Sequence, residues 1–265
     1  MVKAIIIGLL LIAAGLFLIL YLRKKLGSKA LEIQVMKTST IGDIKRIFSE
    51  MEDMGLSDNN RHYVELKGIT DSQNPPVTPF SEQRVAYHES TLSQVYEEVE
   101  YYRDDKGNTH ERINKHENII SEERSTEPII LRESDSQDVV YIDVDEARSK
   151  LDTRKSFDRF ESENNMTNYS FFRSFNYGVR QPRTLGFRMV EKTIALNQPL
   201  YVLGEAYTNA GRIYIGRPTD KKKPFIISTK SENQLVSSIK LKTQLAMFGG
   251  IGLVVLGFAA MIFIR

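Results

Sequence analysis

Both ends of the chain are apolar, and neither apolar segment carries a charge. Ala4 to Leu22 and Leu245 to Ile264 are each long enough, at about 1.5 Å per helical residue, to cross a hydrocarbon layer about 30 Å thick. A backbone in lipid must satisfy its own hydrogen bonds, so each segment is predicted to be a transmembrane helix, and the charged middle becomes a domain tethered at two points. A cleaved signal peptide is a poor reading of the first segment. Its apolar run exceeds the usual hydrophobic region and ends in Arg23, Lys24 and Lys25 without a small-residue cleavage pattern. The second segment contains Gly249, Gly250, Gly252 and Gly257, which weaken a soluble helix and are common in membrane helices. These glycines, with Gly8 and Gly15, offer close helix approach, although no clean stripe of small residues four apart is evident.

Four segments are expected: an N-terminal span over 1–25, an amphipathic lead-in over 26–60, a β-rich domain over 61–240 and a C-terminal span over 241–265. Lys plus Arg number 36 against 34 Asp plus Glu, and Lys3 and Arg265 lie outside the domain, which is therefore close to neutral. That excludes nucleic acid as a main partner. The absence of cysteine excludes disulfides, thiolate nucleophiles and Cys-ligated zinc on this chain. Arg23, Lys24, Lys25, Lys29 and Lys37 on one inner flank, with Lys230, Lys240 and Lys242 on the other, place the domain in the cytoplasm by the positive-inside rule.

Thr40 with Asp43 caps an apolar stripe through Ile41, Ile44, Ile47, Phe48, Met51 and Met54, which predicts a helix over about 41–54. From Arg61 the period changes to that of a strand. Arg84 to Arg103 and Thr109 to Thr126 flank the turn Asp104-Asp105-Lys106-Gly107-Asn108, which predicts a long charged hairpin with cross-strand ion pairing. Short strands are expected at Ile129 to Leu131, Val139 to Ile142, Phe187 to Leu196, Leu200 to Tyr207, Arg212 to Ile215 and Phe225 to Ser228. Asn209-Ala210-Gly211 turns between two of these strands. Asp145 to Gly178, with rings at Phe157, Phe160, Tyr169, Phe171, Phe172, Phe175 and Tyr177, reads as a helical or irregular excursion. The fold class is mainly β (α+β), a compact β-sandwich or partly open barrel with short helices between the two spans.

Signals for chemistry are sparse. His110 and His116 share a face of a strand but lie too far apart to share a metal. Asp104, Asp105 and Asn108 lack the ligand spacing of a calcium loop. No P-loop, nucleophile elbow or HExxH is present, so no catalytic residue, metal site or cofactor is expected. Lys221-Lys222-Lys223 is a basic turn able to attract anionic lipid headgroups. Asn165 and Asn168 begin sequons, relevant only if the domain faces outward.

The C-terminal third carries a family signature. Glu191 opens a strand; Gln198-Pro199-Leu200-Tyr201-Val202-Leu203-Gly204-Glu205-Ala206, Gly211-Arg212-Ile213-Tyr214-Ile215 and Pro224-Phe225-Ile226-Ile227-Ser228-Thr229-Lys230-Ser231-Glu232 follow, directly before an apolar helix. This resembles the GIDE, or beside-a-membrane (BAM), domain of mitochondrial RING-type E3 ubiquitin ligases. Looser matches extend upstream to Gly68, Tyr87, Ser121-Glu122 and Pro128 to Leu131, covering Arg61 to Ser238. Those ligases recruit E2 through a cysteine-rich zinc RING after the second span. Here the sequence ends at Arg265 and has no cysteine, so the expectation is a RING-less two-span relative of the prokaryotic kind, to which ubiquitin transfer is not carried over.

The resemblance implies that Glu191, Tyr201, Gly204, Phe225 and Ser228 are structural, with Gly204 serving a bulge or a close backbone approach. It also implies a protein-interaction or scaffold role among membrane proteins, and the residues themselves mark Glu205, Arg212, Lys221, Lys222 and Lys223 as the exposed candidate surface. Two alternatives stay open: a ligase-family subunit acting with a separate RING chain, and a sensor of anionic lipid. The relatives hold this domain in the intermembrane space, the opposite side from the one the charge rule gives.

Overall fold

The computed structural model describes residues 2–55, 60–134, 136–162 and 183–263. The chain is β-rich, with a five-stranded barrel, short helices and an apolar helix at each end. The mainly β expectation holds, and of the two forms left open the barrel is the one found. Two compact units divide the chain: residues 1–67, 200–208 and 216–265 form the first, and 68–199 with 209–215 the second.

The first unit begins with α1 (Val2–Phe17), a π-helical turn (Leu18–Leu22) and α2 (Arg23–Val35), and ends with α5 (Glu232–Phe263). Both terminal helices run beyond the apolar segments. The 32 residues of α5 extend about 48 Å, so its polar first turns, with Lys240 and Lys242, overhang a hydrocarbon layer about 30 Å thick. Two helices are thus long and apolar enough to cross a membrane.

The two helices meet through glycine. A Cβ on Gly8 would sit 2.7 Å from the Gly257 carbonyl oxygen, and one on Gly15 would sit 2.6 Å from that of Gly250. Gly8 and Gly15 are one heptad apart, as are Gly250 and Gly257, so the antiparallel helices touch backbone to backbone at matching intervals. The repeat is seven residues, not the four of the usual small-residue stripe.

Beyond the spans, Ala30 and Ile33 of α2 and Val236 and Ile239 of α5 pack with Tyr201 and Leu203 of β8 (Pro199–Asn209) and Ile226 of β10 (Ile226–Ser228). β10 pairs antiparallel with β8, setting Ile226 opposite Leu203 and Ser228 opposite Tyr201. Helix α3 (Ile41–Asp53) forms where predicted. The Thr40 hydroxyl accepts from the Asp43 N–H at 2.9 Å, the Asp43 carboxylate accepts from the Thr40 N–H, and Ile41, Ile44 and Phe48 are buried.

The second unit holds a four-stranded sheet in the order β3-β2-β7-β6, made by β2 (Tyr87–Arg103), β3 (Thr109–Arg124), β6 (Arg154–Ser162) and β7 (Arg183–Ile194). The predicted hairpin is β2 and β3, turned at Gly107 with φ +83°. Its cross-strand pairing includes His116 to Glu98 at 3.3 Å. Among the described residues β7 pairs with β2 from Tyr87 to Glu97. In the same unit the end of β1 (His62–Asp71) pairs with β4 (Ile129–Arg132), β4 pairs with β5 (Val139–Ile142), and β5 runs parallel to β9 (Arg212–Gly216).

The excursion expected over 145–178 is corrected in its first half. A short helix α4 (Val144–Ala147) is followed by the regular strand β6. Strand alternation is weak in its sequence because, among the described strands, β6 has a neighbour on one side alone and its charged side chains are largely exposed. Tertiary pairing supplies what the pattern lacks. Arg188 holds the Asp158 carboxylate with two hydrogen bonds of 2.8 Å, and Lys155 adds a third at 2.7 Å. These bonds, led by that of Arg188, hold Asp158 well below the usual carboxylate range. Gly186 lets β6 and β7 close up, since a Cβ there would run into the Glu161 carbonyl oxygen. Phe157 packs against a cluster of Phe80, Leu92, Phe187 and Met189, whereas Phe160 is exposed. Tyr169, Phe171, Phe172, Phe175, Tyr177 and the sequons at Asn165 and Asn168 lie outside the described residues.

Candidate functional site

Two anchored carboxylates organise the interior, one in each unit. Glu191 in β7 is fully buried. It accepts from the Phe80 N–H at 2.7 Å, from the Ser81 N–H at 3.2 Å and from the Ser81 hydroxyl. The charge is satisfied by three donors, and the loop carrying Phe80 is strapped to the sheet. In the first unit Glu65 of β1 is equally buried. The Tyr201 hydroxyl donates to it at 2.8 Å and the Thr38 hydroxyl at 2.6 Å, while Lys67 stands 3.3 Å away. Lys67 also reaches Glu232, at the start of α5, at 2.9 Å. Burial followed by the Glu65 hydrogen bond pushes the Tyr201 hydroxyl well above the ordinary tyrosine value. Burial alone would lower Lys67, but its hydrogen bonds to Glu232 and Glu65 outweigh this and hold it above the usual lysine value.

These interactions make Tyr201 and Glu191 structural anchors, and Phe225, just before β10, and Ser228, its last residue, are buried. Gly204 is buried in β8. Glu65 and Lys67 carried no sequence signal. Val64, Glu65 and Leu66 are buried in succession, so the expected alternation fails where the charge is placed.

The five residues expected as an exposed surface separate. Glu205 is not on that surface: it is 8% exposed and accepts from the Thr219 N–H at 2.8 Å and hydroxyl at 2.7 Å, with Arg61 at 3.6 Å. Burial raises its pKa, but the Thr219 hydrogen bonds and Arg61 bring it below the usual glutamate value. Its charge closes a turn instead of meeting a partner. Lys221, Lys222 and Lys223 are exposed on a turn in which Asp220 accepts from the Lys222 N–H at 2.9 Å. The Lys223 ammonium lies 4.7 Å from the centre of the Tyr63 ring, so this lysine is partly engaged within its own unit.

Arg212 has a different setting. It is exposed, its guanidinium carbon lies 5.1 Å from the centre of the Tyr141 ring, and Tyr141 contacts Tyr214 at 5.5 Å. Arg212 and Tyr141 line a small cleft with Ser72, Gln73, Asn74, Glu127, Pro128 and Ile130. An arginine stacked on an aromatic ring keeps its hydrogen-bonding edge in a defined place at low entropic cost, and such pairs are enriched in recognition surfaces. Arg212 was legible as a surface residue. Its partners come from three other segments and were not. His110 and His116 are each stacked on a tyrosine, Tyr102 and Tyr96, at 5.5 Å. Among the described residues no group of His, Cys, Asp or Glu is arranged to hold a metal ion.

The chain thus places a β-rich region between two helices long and apolar enough to cross a membrane. The sequence matches the family described as GIDE, E3 ubiquitin ligase, over residues 97–262, and the chain belongs to that family. No curated protein and no solved structure matched the chain.

Proposed function

We propose that the chain is a two-pass membrane protein whose GIDE domain acts as an interaction or scaffold module for other membrane proteins. The observation that carries this reading is the cleft in which Arg212 lies over Tyr141 amid Ser72, Gln73, Asn74 and Glu127. It offers a cation over an aromatic ring, the Glu127 carboxyl group and the neutral hydrogen-bonding groups of Ser72, Gln73 and Asn74, a mixture suited to a protein interface. The full chain, purified in detergent from its native membrane, is expected to retain partner proteins that Arg212→Glu loses without a fall in melting temperature. An unchanged set of partners would remove the cleft from the reading.

The exposed turn of Lys221, Lys222 and Lys223 favours a second reading, attraction to anionic headgroups, which weakens with salt. The same preparation reversed at all three lysines, presented to vesicles with and without phosphatidylserine, separates the two. The family description favours a further alternative, a ligase subunit beside a separate RING-bearing chain. Such a chain would appear among the retained partners.

Basic residues flanking both spans support a cytoplasmic domain. Because the sequence has no cysteine, Asn108→Cys at the hairpin turn reports sidedness without background. It is expected to resist an impermeant maleimide in intact cells and to react once they are opened. Labelling in intact cells would reverse the orientation.

A further inference from the structure

Strand β3 is the outer strand of its sheet, with β2 on one side and no other described strand on the other. An edge strand offers a row of unpaired N–H and C=O groups and templates pairing unless its side chains forbid it. The exposed stretch of β3 reads Ile113-Asn114-Lys115-His116-Glu117-Asn118-Ile119. Read backwards it is the same sequence with Lys and Glu exchanged, so it complements itself in the antiparallel sense.

We infer that this edge pairs with β3 of a second copy of the chain, antiparallel and centred on His116. A two-fold axis perpendicular to the sheet keeps each residue on its own face, so a residue pairs only with one an even number of positions away. With His116 opposite His116, Lys115 of each copy faces Glu117 of the other, Asn114 faces Asn118, and Ile113 faces Ile119. Ile113 and Ile119 are 58% and 55% exposed, and the pairing covers both. On the inner side Ile113 already neighbours Val99, and Lys115 neighbours Glu97. Two rows thus run on to the junction in kind, Val99 and Ile113 up to the facing Ile119, and Glu97 and Lys115 up to the facing Glu117.

The register is discriminated as well as favoured. A slip of two residues one way sets Lys115 against Lys115, and a slip the other way sets Glu117 against Glu117; directly opposed like charges destabilise a sheet. Glu117 also meets Arg188 of its own sheet at 3.5 Å, which leaves its second oxygen for the facing lysine. A junction of seven residues a side is small for a freely diffusing dimer. Two copies anchored in one bilayer meet at a raised effective concentration. The inference stands apart from the Arg212 cleft and does not depend on it.

The test uses the full chain in native membranes and in detergent, with single cysteines on the cysteine-free background. Residues facing themselves across an antiparallel pair have Cα atoms about 4.5–5.5 Å apart, within disulfide range. His116→Cys is therefore expected to give a covalent dimer on oxidation with copper phenanthroline, and Thr109→Cys, far from the axis, is not. Lys115→Glu, which turns both charge pairs repulsive, is expected to weaken self-association about tenfold. The double variant Lys115→Glu/Glu117→Lys restores it. A monomeric wild-type chain, equal cross-linking at 109 and 116, or a double variant as weak as Lys115→Glu would each overturn the inference.

Discussion

Replacing Glu191 by Ala is expected to cost the fold about 3–5 kcal/mol, since each buried donor left unsatisfied costs about 1–3 kcal/mol and a cavity adds to it. The carboxylate has no exposed surface, and three donors converge on it from Phe80 and Ser81. Its loss leaves two backbone N–H groups without an acceptor beside the Phe80 cluster and opens a cavity where the side chain had been. Glu191→Gln keeps the volume and one acceptor oxygen, so it is expected to lose less, about 1–3 kcal/mol. Ser81→Ala removes one donor and is expected to lose less again. Urea melts of the detergent-solubilised chain, followed by the circular dichroism of the β-structure, give the order Ala, Gln, then Ser81→Ala. An Ala variant that melts with the wild type would show that water replaces the carboxylate and that the strap carries no energy.

That strap illustrates where sequence reading stops. The capping box at Thr40 and Asp43, the apolar stripe of α3 and the Gly107 turn were legible because cause and effect lie within four residues of each other. Glu191 and Ser81 are 110 positions apart. Nothing near either residue marks the pair, and only the resemblance to a family pointed to Glu191. Glu205 was misplaced for a related reason. A charge in a strand that precedes a turn reads as exposed until Thr219 and Arg61 close over it. Strand β6 was hidden because a strand with Asp158 bound to Arg188 and Lys155 needs no apolar alternation to be stable. The self-complementary stretch of β3 was visible in the sequence throughout, but it acquires meaning only once β3 is known to be an outer strand.

The heptad glycines lead to the second large effect. Gly250→Leu is expected to destabilise the helix pair by about 1–3 kcal/mol, the cost of inserting bulk into a closed contact. A Cβ at that position would lie 2.5 Å from Ile19 Cγ1 and 2.8 Å from the Gly15 carbonyl oxygen. Backbone cannot move aside as a flexible side chain can. Gly249→Leu and Gly252→Leu serve as matched comparisons in the same helix, because nothing lies within 4 Å of a Cβ at either site. They gain about 0.8–1 kcal/mol of helix propensity without a clash, a gain that Gly250→Leu shares and must overcome. The difference between neighbouring positions thus isolates the contact from propensity and hydrophobicity. The perturbation is expected to reach past the apolar segments, because α2 and α5 continue into the cluster of Ala30, Ile33, Val236 and Ile239 against Tyr201, Leu203 and Ile226. Prying the helices apart at Gly250 should loosen that packing and speed hydrogen exchange at Leu203 and Ile226, whereas the Gly249 variant leaves exchange there unchanged. Equal melting and equal exchange in the Gly249 and Gly250 variants would mean that the two helices do not meet at Gly15 and Gly250.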